Sequence, residues 1–325
     1  MPSPLDQVFP PKPQFTDKEL PDQTGKVFLV TGSTSGMGLE LAKILYGKNA
    51  TVYVAARSPE KIKRAISTLK AEFPQSMGRA ESLLLDLSDL ATVAPAARQF
   101  MARETRLDVL FHNAGVMLTP LDARSAQGHE LRMATNCLGP HLLSRCLEPL
   151  LVKTAQDHAT EKASVRVVWV SSFIAYSTPK GGIIWDEKEG APKLLPGGMD
   201  NYMESKVGDV WLARKWAEKL GDKGVINVSV NPGLMRTELQ RNNKLMQTMM
   251  GILMKPAKYG AFSELFAGLS PQITADKNGT YTIPWGRFGV IPEDIEVNMK
   301  DEKDGGTGLI NTFWNWCESV TNAFT

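Results

Sequence analysis

The sequence predicts an α/β protein with a doubly wound, mostly parallel seven-stranded sheet and helices on both faces of the sheet. Three observations support this fold class. Short strand-like runs alternate with segments of helical periodicity along the 325-residue chain. The first run, 27–30, is rich in β-branched and aromatic residues, as expected of a strand buried on both faces. That run is followed at once by a glycine-rich turn that leads into a helix.

The predicted elements follow one another in a regular order. The predicted strands are 27–30, 51–55, 83–86, 108–111, 165–170, 225–230 and 279–283. The predicted helices begin at about 39, after Ser58 and after Ser88, and span about 128–151, 202–220, 258–269 and 309–320. Ser58 is suited to cap its helix, with Pro59 at the first helical position. We therefore expect a single domain over 23–325.

The amino-terminal segment, 1–22, contains six prolines. Proline lacks a backbone donor and favours extended conformations, so this segment is predicted to be an arm outside the sheet. We expect it to be a loosely packed extension of the domain.

Composition excludes several classes of protein. With 42% hydrophobic and 22% charged residues, the chain reads as an ordinary globular protein, and a net charge of +2 gives no reason to expect a nucleic-acid partner. The three cysteines show neither metal-ligand spacing nor a paired framework. No run of about 18 apolar residues and no signal core is present. These features predict a cytoplasmic protein without a transmembrane segment and without a metal.

The glycines after the first strand predict a phosphate site. Gly32, Gly36 and Gly38 lie between the strand and the helix, where glycine lets the backbone approach a pyrophosphate. The first free N–H groups of the helix would point at the negative charge. The spacing is Gly-x3-Gly-x-Gly, which differs from the common dinucleotide fingerprint.

Residues at the ends of the next two strands predict which dinucleotide, NAD or NADP, the protein binds. Arg57 follows the second strand, where an acidic residue would bind a free ribose 2′-hydroxyl and an arginine accommodates a 2′-phosphate. The sequence therefore favours NADP over NAD. Asp86 ends the third strand and faces the same crevice. His112, after the fourth strand, is interpreted as a packed histidine and not as a base or ligand.

Two segments are expected to border the site, and a third is expected to pack on the surface of the domain or on another subunit. The long Gly- and Pro-containing segment 173–199 is assigned to the mouth of the site. Five of the 14 methionines fall within 235–254. We interpret about 234–257 either as a lid over a lipophilic ligand or as an amphipathic core helix. The aromatic helix at about 305–323 should pack on the body or on another subunit.

Tyr202 and Lys206 carry the strongest chemical signal. Their i, i+4 spacing on a predicted helix places them one turn apart on one face. An ammonium at that position favours the phenolate form of the tyrosine, which could then act as a base near neutral pH. Ser172, after the fifth strand, could hold a substrate oxygen. The similar Tyr176-x3-Lys180 is rejected because Pro179 would break the helix.

These residues together resemble the short-chain dehydrogenase/reductase family over about 24–325. The long separation of Ser172 from Tyr202 resembles the retinol-dehydrogenase-like branch and related reductases of fungal secondary metabolism. The matching motifs are Thr31-Gly-x3-Gly-x-Gly38, Asn113-Ala-Gly115, Asn136, Ser172, Tyr202-x3-Lys206 and Pro232-Gly233-x3-Thr237. The resemblance implies a Rossmann fold that binds NADP(H).

The resemblance also implies a role for each matched position. Tyr202 would be the general acid or base, Lys206 would hold the nicotinamide ribose, Ser172 would bind the substrate oxygen and Asn136 would anchor a water. A local distortion of the helix near Asn136 is expected because a glycine and a proline follow it. The residues implied to contact the cofactor are Gly32, Ser35, Gly36, Met37, Gly38, Arg57, Asp86, Asn113, Ala114, Gly115, Tyr202, Lys206, Pro232, Gly233 and Thr237.

Three functions remain open at this point. The first is an NADP(H)-dependent oxidoreductase that interconverts an alcohol with a ketone or aldehyde on a lipophilic small molecule. The second uses the same scaffold to reduce a C=C bond or to isomerise a substrate. The third is a non-catalytic NADP-binding module. A homo-oligomer is compatible with each of them.

Overall fold

The computed structural model describes residues 5–157, 163–174, 178–235 and 254–325. Ten strands occur in these ranges: β1 (Val27–Thr31), β2 (Thr51–Ala56), β3 (Arg79–Leu84), β4 (Val109–His112), β5 (Val165–Val170), β6 (Trp185–Asp186), β7 (Ala191–Pro192), β8 (Val225–Val230), β9 (Tyr281–Ile283) and β10 (Arg287–Phe288). Of these, β6 and β7 form a separate small hairpin, and the others form one sheet.

The α-helices of the described residues surround that sheet. They are α1 (Leu5–Val8), α2 (Gly36–Gly47), α3 (Pro59–Glu72), α4 (Val93–Met101), α5 (Leu131–Met133), α6 (Gly139–Asp157), α7 (Gly198–Leu220), α8 (Ala257–Leu269), α9 (Glu293–Met299) and α10 (Leu309–Thr321). A π-helical turn, Ala134–Leu138, joins α5 to α6. Short 3₁₀ turns occur at Leu90–Thr92, Gly221–Lys223, Ala275–Lys277, Glu302–Asp304 and Asn322–Phe324.

The strand order of the sheet is β10-β9-β8-β5-β4-β1-β2-β3. Seven strands run parallel, which confirms the predicted mostly parallel α/β architecture. The predicted number of strands was one too few, because β10 adds an antiparallel edge to β9. A two-residue strand leaves no periodic pattern in a sequence. The order reverses between β1 and β4, and a crevice at such a switch point is where ligands bind in open α/β sheets.

Several predicted boundaries were wrong. The helix expected at 202–220 begins four residues earlier, at Gly198. The third strand was expected at 83–86, but β3 spans Arg79–Leu84 and pairs with β2 from Thr51 to Ala56. Its first residues are polar because it lies at the edge of the sheet, so they gave no apolar signal. The helix expected at about 128–151 begins at Leu131 and continues to Asp157. Ser58 caps α3 as predicted, by accepting a hydrogen bond from the Lys61 backbone N–H.

The amino-terminal arm is packed against the body, so the expectation of a loose extension was wrong. Phe15 and Leu20 are buried in the core on the α2 and α8 face of the sheet. Lys258 of α8 pairs with Asp17 at 3.2 Å. Near the start of the arm, the buried Asn231 side chain donates a hydrogen bond of 2.9 Å to Gln7 Oε1. Tertiary contacts therefore override the local preference of a proline-rich sequence.

Replacing Leu20 with alanine is expected to lower the free energy of unfolding by about 3 kcal/mol, because the side chain is 2% exposed and its loss leaves a cavity. Chemical denaturation measures this difference. Phe9→Ala is the matched control, since Phe9 is 68% exposed in the same arm and its replacement should change stability by less than about 0.5 kcal/mol. Equal, small effects of both variants would show that the arm does not contribute to the core.

The described part of the chain contains no helix that is both long and apolar enough to cross a membrane. Its cysteines, Cys137, Cys146 and Cys317, form no disulfide. Within the same residues, no group of three or more histidine, cysteine, aspartate or glutamate side chains is arranged to hold a metal ion.

Candidate active site

One cavity of about 590 Å³ lies at the carboxyl ends of the central strands. It is lined by residues that follow β1, β2, β3, β4, β5 and β8, together with one face of α7. Most of the site residues expected from sequence meet there: Gly32, Ser35, Gly36, Met37, Arg57, Asp86, Asn113, Ala114, Gly115, Ser172, Tyr202, Lys206, Pro232 and Gly233. Gly38 and Asn136 lie behind this lining, and Thr237 is outside the described residues.

The glycine turn after β1 forms one wall. Gly32 and Gly36 have positive φ angles of 68° and 58°, which glycine adopts without strain. A side chain on Gly38 would collide with Asn113 Nδ2 and would lie 3.0 Å from the Gly32 carbonyl. The N-cap residue of α2, Ser35, forms no side-chain capping bond, so the first N–H groups of the helix are not satisfied by it. This geometry suits an anionic group at the helix N-terminus.

Thr31 joins the glycine turn to the loop after β4. Its hydroxyl donates to the Phe111 carbonyl at 3.1 Å and accepts from the Ala114 N–H at 3.0 Å. The Asn113 side chain donates to the Thr31 carbonyl at 2.8 Å. These bonds keep the two loops close enough that only small residues fit between them.

His112, directly before this loop, is fully buried and bonded to Ser144, and burial lowers the pKa of His112 to about 3. The interpretation of His112 as a packed residue is confirmed.

The far end of the cavity is basic. Arg57, directly after β2, and Lys61, in the first turn of α3, both line it, and both residues are exposed. The sequence pattern indicates Arg57 but not Lys61, because a lysine one helical turn beyond the cap forms no distinctive motif. Asp86 lines the cavity beside them, and its carboxylate accepts two hydrogen bonds from Ser88, at 2.9 Å from the N–H and 2.6 Å from the hydroxyl.

Lys206 occupies the other end, where α7 meets β5. Its ammonium donates to the Val170 carbonyl at 2.7 Å and to Asp209 Oδ2 at 2.8 Å, and it lies 5.9 Å from the centre of the Tyr202 ring. Burial alone would lower the pKa of Lys206, but the charge of Asp209 and then that of Tyr202 outweigh burial, so its pKa is raised. Lys206 therefore stays an ammonium next to Tyr202.

The end of β5 positions Ser172. The neighbouring Ser171 hydroxyl donates to the Lys206 carbonyl at 2.6 Å, which joins the strand to α7. The Ser172 carbonyl accepts a hydrogen bond of 2.7 Å from the buried Tyr281 hydroxyl of β9. The backbone on both sides of Ser172 is thus fixed, while Ser172 itself lines the cavity with Tyr202 and Lys206.

Asn136 lies in the π-helical turn, which confirms the predicted distortion of this helix. Its side chain accepts from the Val116 N–H at 2.8 Å and donates to the Val116 carbonyl at 3.1 Å. It also donates to the Ser205 hydroxyl at 2.8 Å. Asn136 therefore joins the loop after Gly115 to α7. Its role in anchoring a water stays a prediction.

The loop after Gly115 is held by a residue that the sequence did not reveal. Arg132 is 1% exposed and donates to the Met117 carbonyl at 2.8 Å and to the Thr119 carbonyl. Glu130 pairs with the same guanidinium at 2.7 Å. An arginine on a helix usually indicates a solvated face, so only the folded structure shows that it shapes the cavity wall at Met117.

Both segments expected to border the site contribute their ends to it. In the segment 173–199, Phe173 and Met199 line the cavity, while Ile184 is bonded to Glu204 on α7 at 2.7 Å. In the segment 234–257, Leu234, Met235 and Met254 line the cavity. The rest of the predicted lid, 236–253, is outside the described residues.

Comparison with known proteins identifies the family. A family model described as short chain dehydrogenase matches residues 26–185. A short-chain dehydrogenase/reductase from Phomopsis amygdali is 43% identical over 98% of this chain and 96% of its own length. This chain belongs to the short-chain dehydrogenase/reductase family. The resemblance inferred from the motifs is confirmed, and the relative comes from a fungus, as the resemblance to fungal reductases implied.

Solved structures share the fold of this short-chain dehydrogenase/reductase. A putative uncharacterized protein from Mycobacterium paratuberculosis superposes with a TM-score of 0.66 at 23% identity, over 95% of this chain and 97% of the other. The Pseudomonas aeruginosa RhlG/NADP active-site complex has a TM-score of 0.61 at 22% identity, over 81% and 95% of the two chains. At these identities the comparison supports the α/β architecture alone.

Short-chain dehydrogenases/reductases are oxidoreductases that use a nicotinamide dinucleotide, and the cavity fits such a group. No other residue fits at Gly32, because a Cβ there would be 2.8 Å from the Ala114 Cα, so the glycine turn and the loop after β4 pack closely at the cavity wall. Gly115 is similar, since a Cβ there would be 3.4 Å from Lys206 Nζ. Glycines at these two positions therefore allow close approach of backbone at the cavity wall, which Arg57 and Lys206 also line.

Proposed function

We propose that this short-chain dehydrogenase/reductase interconverts an alcohol and a ketone or aldehyde on a lipophilic small molecule, with NADP(H) as its cofactor. The observation that carries the proposal is that Tyr202, the buried Lys206 and Ser172 line the same cavity as the glycine turn. A pure binding module has no need of this combination. The proposed binding residues are those assigned from the sequence, with Lys61 added.

The bound cofactor would supply or accept the hydride. In carbonyl reduction Tyr202 donates its phenolic proton to the substrate oxygen, and in alcohol oxidation it accepts that proton. Lys206 places its positive charge 5.9 Å from the centre of the Tyr202 ring and presents an N–H to the nicotinamide ribose. Ser172 donates a hydrogen bond to the same substrate oxygen and so orients the reacting carbon.

Two cations at the far end support the choice of NADP(H). Arg57 and Lys61 line the cavity where the adenosine ribose would lie, and among the described residues neither takes part in an ion pair. A 2′-phosphate would give both side chains a charged partner, and a guanidinium suits phosphate geometry well. A 2′-hydroxyl would leave the positive charges of Arg57 and Lys61 without an anionic partner on the cofactor.

Apolar side chains around the catalytic residues support a lipophilic substrate. The cavity wall on this side is formed by Met117, Leu131, Phe173, Met199, Met203, Leu234, Met235 and Met254. Leu118 and Leu121, one and four positions after Met117, are 43% and 40% exposed. Methionine adapts its shape to a ligand, so this wall favours bulky apolar groups over small polar ones.

Fluorescence titration with NADPH and NADH tests the cofactor. Arg57→Ala is expected to weaken NADPH binding about 10- to 30-fold, the equivalent of about 1.4–2 kcal/mol, because a charged hydrogen bond is lost. NADH binding should change by less than about twofold. Arg64→Ala, which removes an exposed arginine of α3 outside the cavity lining, is the matched control.

Equal binding of NADH and NADPH by the wild type would contradict the assignment of Arg57.

The reaction type is tested by measuring turnover with deuterated NADPH on a panel of lipophilic carbonyl compounds. Deuterium on the carbinol carbon supports carbonyl reduction. Deuterium on a carbon of a former C=C bond would contradict it and favour the second function inferred from sequence.

A further inference from the structure

Asp209 is a buried acidic residue in contact with the lysine of the proposed active site. It lies three positions after Lys206 on α7, and the side chains of Lys206 and Asp209 are only 6% and 3% exposed. Their separation of 2.8 Å makes a charge-assisted hydrogen bond. A buried cation without a partner is strongly unfavourable, so the carboxylate has a direct effect on the state of the lysine.

Two of the three N–H donors of the Lys206 ammonium are used in hydrogen bonds within the protein. One N–H is bonded to the Val170 carbonyl of β5 and another to Asp209. A lysine ammonium has three donors and no acceptor, so one N–H is left for a ligand in the cavity that Lys206 lines. The two fixed bonds determine the direction of the third.

We propose that Asp209 is a positioning residue: its buried ion pair keeps Lys206 protonated and aims the remaining N–H of the ammonium into the cofactor cavity. Asp209 does not line the cavity, so it acts through Lys206. This inference rests on the proposed function, in which Lys206 holds the nicotinamide ribose.

The surroundings of the pair contain few other titratable groups. Tyr202 on α7 and Cys137 on the π-helical turn interact electrostatically with Lys206, and Cys317 of α10 interacts with Cys137. The adjoining part of β5 contributes a carbonyl and the Ser171 hydroxyl, which do not titrate near neutral pH. Burial raises the pKa of both thiols, so Cys137 and Cys317 stay neutral. Asp209 is therefore the acid paired with the lysine; burial raises the pKa of Asp209, and the Lys206 charge and hydrogen bond oppose that rise.

Asp209→Asn tests the proposal because it preserves size and an acceptor oxygen but removes the charge. The protonation of Lys206 is followed by the ¹³Cε chemical shift of ¹³C-lysine-labelled protein without cofactor, with Lys206→Met used to assign the resonance. We expect the midpoint of the Lys206 titration to fall by at least about one pH unit in Asp209→Asn. Asp209→Glu, which keeps a carboxylate, should restore most of this shift.

Cofactor binding provides a second measurement. The affinity of Asp209→Asn for NADPH should fall about tenfold between about pH 7 and about pH 9, because its Lys206 loses a proton in that range, while the wild-type affinity stays nearly constant. In a Lys206→Met background the same Asp209→Asn change should have no effect on affinity beyond about twofold. If Asp209→Asn does not fold, Asp209→Ser, which makes room for water beside the ammonium, replaces it.

The proposal is overturned if the Lys206 titration midpoint is the same in Asp209→Asn as in the wild type. It is also overturned if Asp209→Asn lowers NADPH affinity as much in the Lys206→Met background as it does with Lys206 present. A purely structural role of Asp209 would lower thermal stability without moving the midpoint. The proposed function fails separately, if the wild type binds neither NADPH nor NADH. The NMR titration would still test Asp209 in that case.

Discussion

Replacing Tyr202 with phenylalanine is expected to lower kcat/KM for carbonyl reduction about 1,000-fold or more, because the variant has no proton to donate to the substrate oxygen. NADPH affinity should stay within about threefold of the wild type, since the ring and Lys206 remain in place. The loss is measured as NADPH oxidation with the best carbonyl substrate found in the panel, and affinity is measured by fluorescence titration.

Tyr259→Phe is the matched control for this experiment. Tyr259 also loses only a hydroxyl, and its ring packs on Phe262 and Trp285 outside the cavity lining. Its activity should remain close to that of the wild type. A Tyr202→Phe enzyme that kept more than about a tenth of the activity would remove Tyr202 from the proposed mechanism.

Gly38→Val should weaken NADPH binding about 100-fold or more, which corresponds to about 2.8 kcal/mol. The added side chain would collide with Asn113 Nδ2, whose bond to the Thr31 carbonyl holds the glycine turn against the next loop. The collision must displace one of these two walls of the cavity. Fluorescence titration with NADPH measures the change.

Gly190→Ala controls for the general effect of replacing a glycine. Gly190 has a positive φ of 61°, a Cβ there meets nothing within 4 Å, and the residue is outside the cavity lining. This variant should lose some stability and keep its NADPH affinity. An affinity of Gly38→Val within about twofold of the wild type would show that the turn does not form the phosphate site.

The parts of the fold that sequence predicted well are those fixed by local pattern. The central strands β1, β2, β5 and β8 were placed to within a residue because each is a short run rich in β-branched and aromatic residues, which is typical of a buried strand. The edge strands were harder. β3 begins with polar residues, and β10 has only two residues.

The candidate site divides in the same way. Tyr202, Lys206, Ser172 and the glycines follow a spacing that can be read along the chain, and the cavity brings them together. Asp209 and Arg132 could not be found in this manner, because a charged residue on a helix usually faces solvent. Asp209 is buried where α7 packs on β5, and Arg132 is buried under the loop that it bonds at Met117 and Thr119. Contacts between separate segments of the chain decide both.

The contacts of the arm determine when the active-site region can be completed during synthesis. Gln7 is bonded to Asn231, and the Asp6 carbonyl accepts a 2.6 Å hydrogen bond from Arg287, 281 residues later. At about 5–20 residues per second, the ribosome needs roughly 15–55 s to reach Arg287 after making Asp6. The segment around Asp6 and Gln7 is thus made long before its bonding partners, and these contacts form only after residues 231 and 287 have been synthesised.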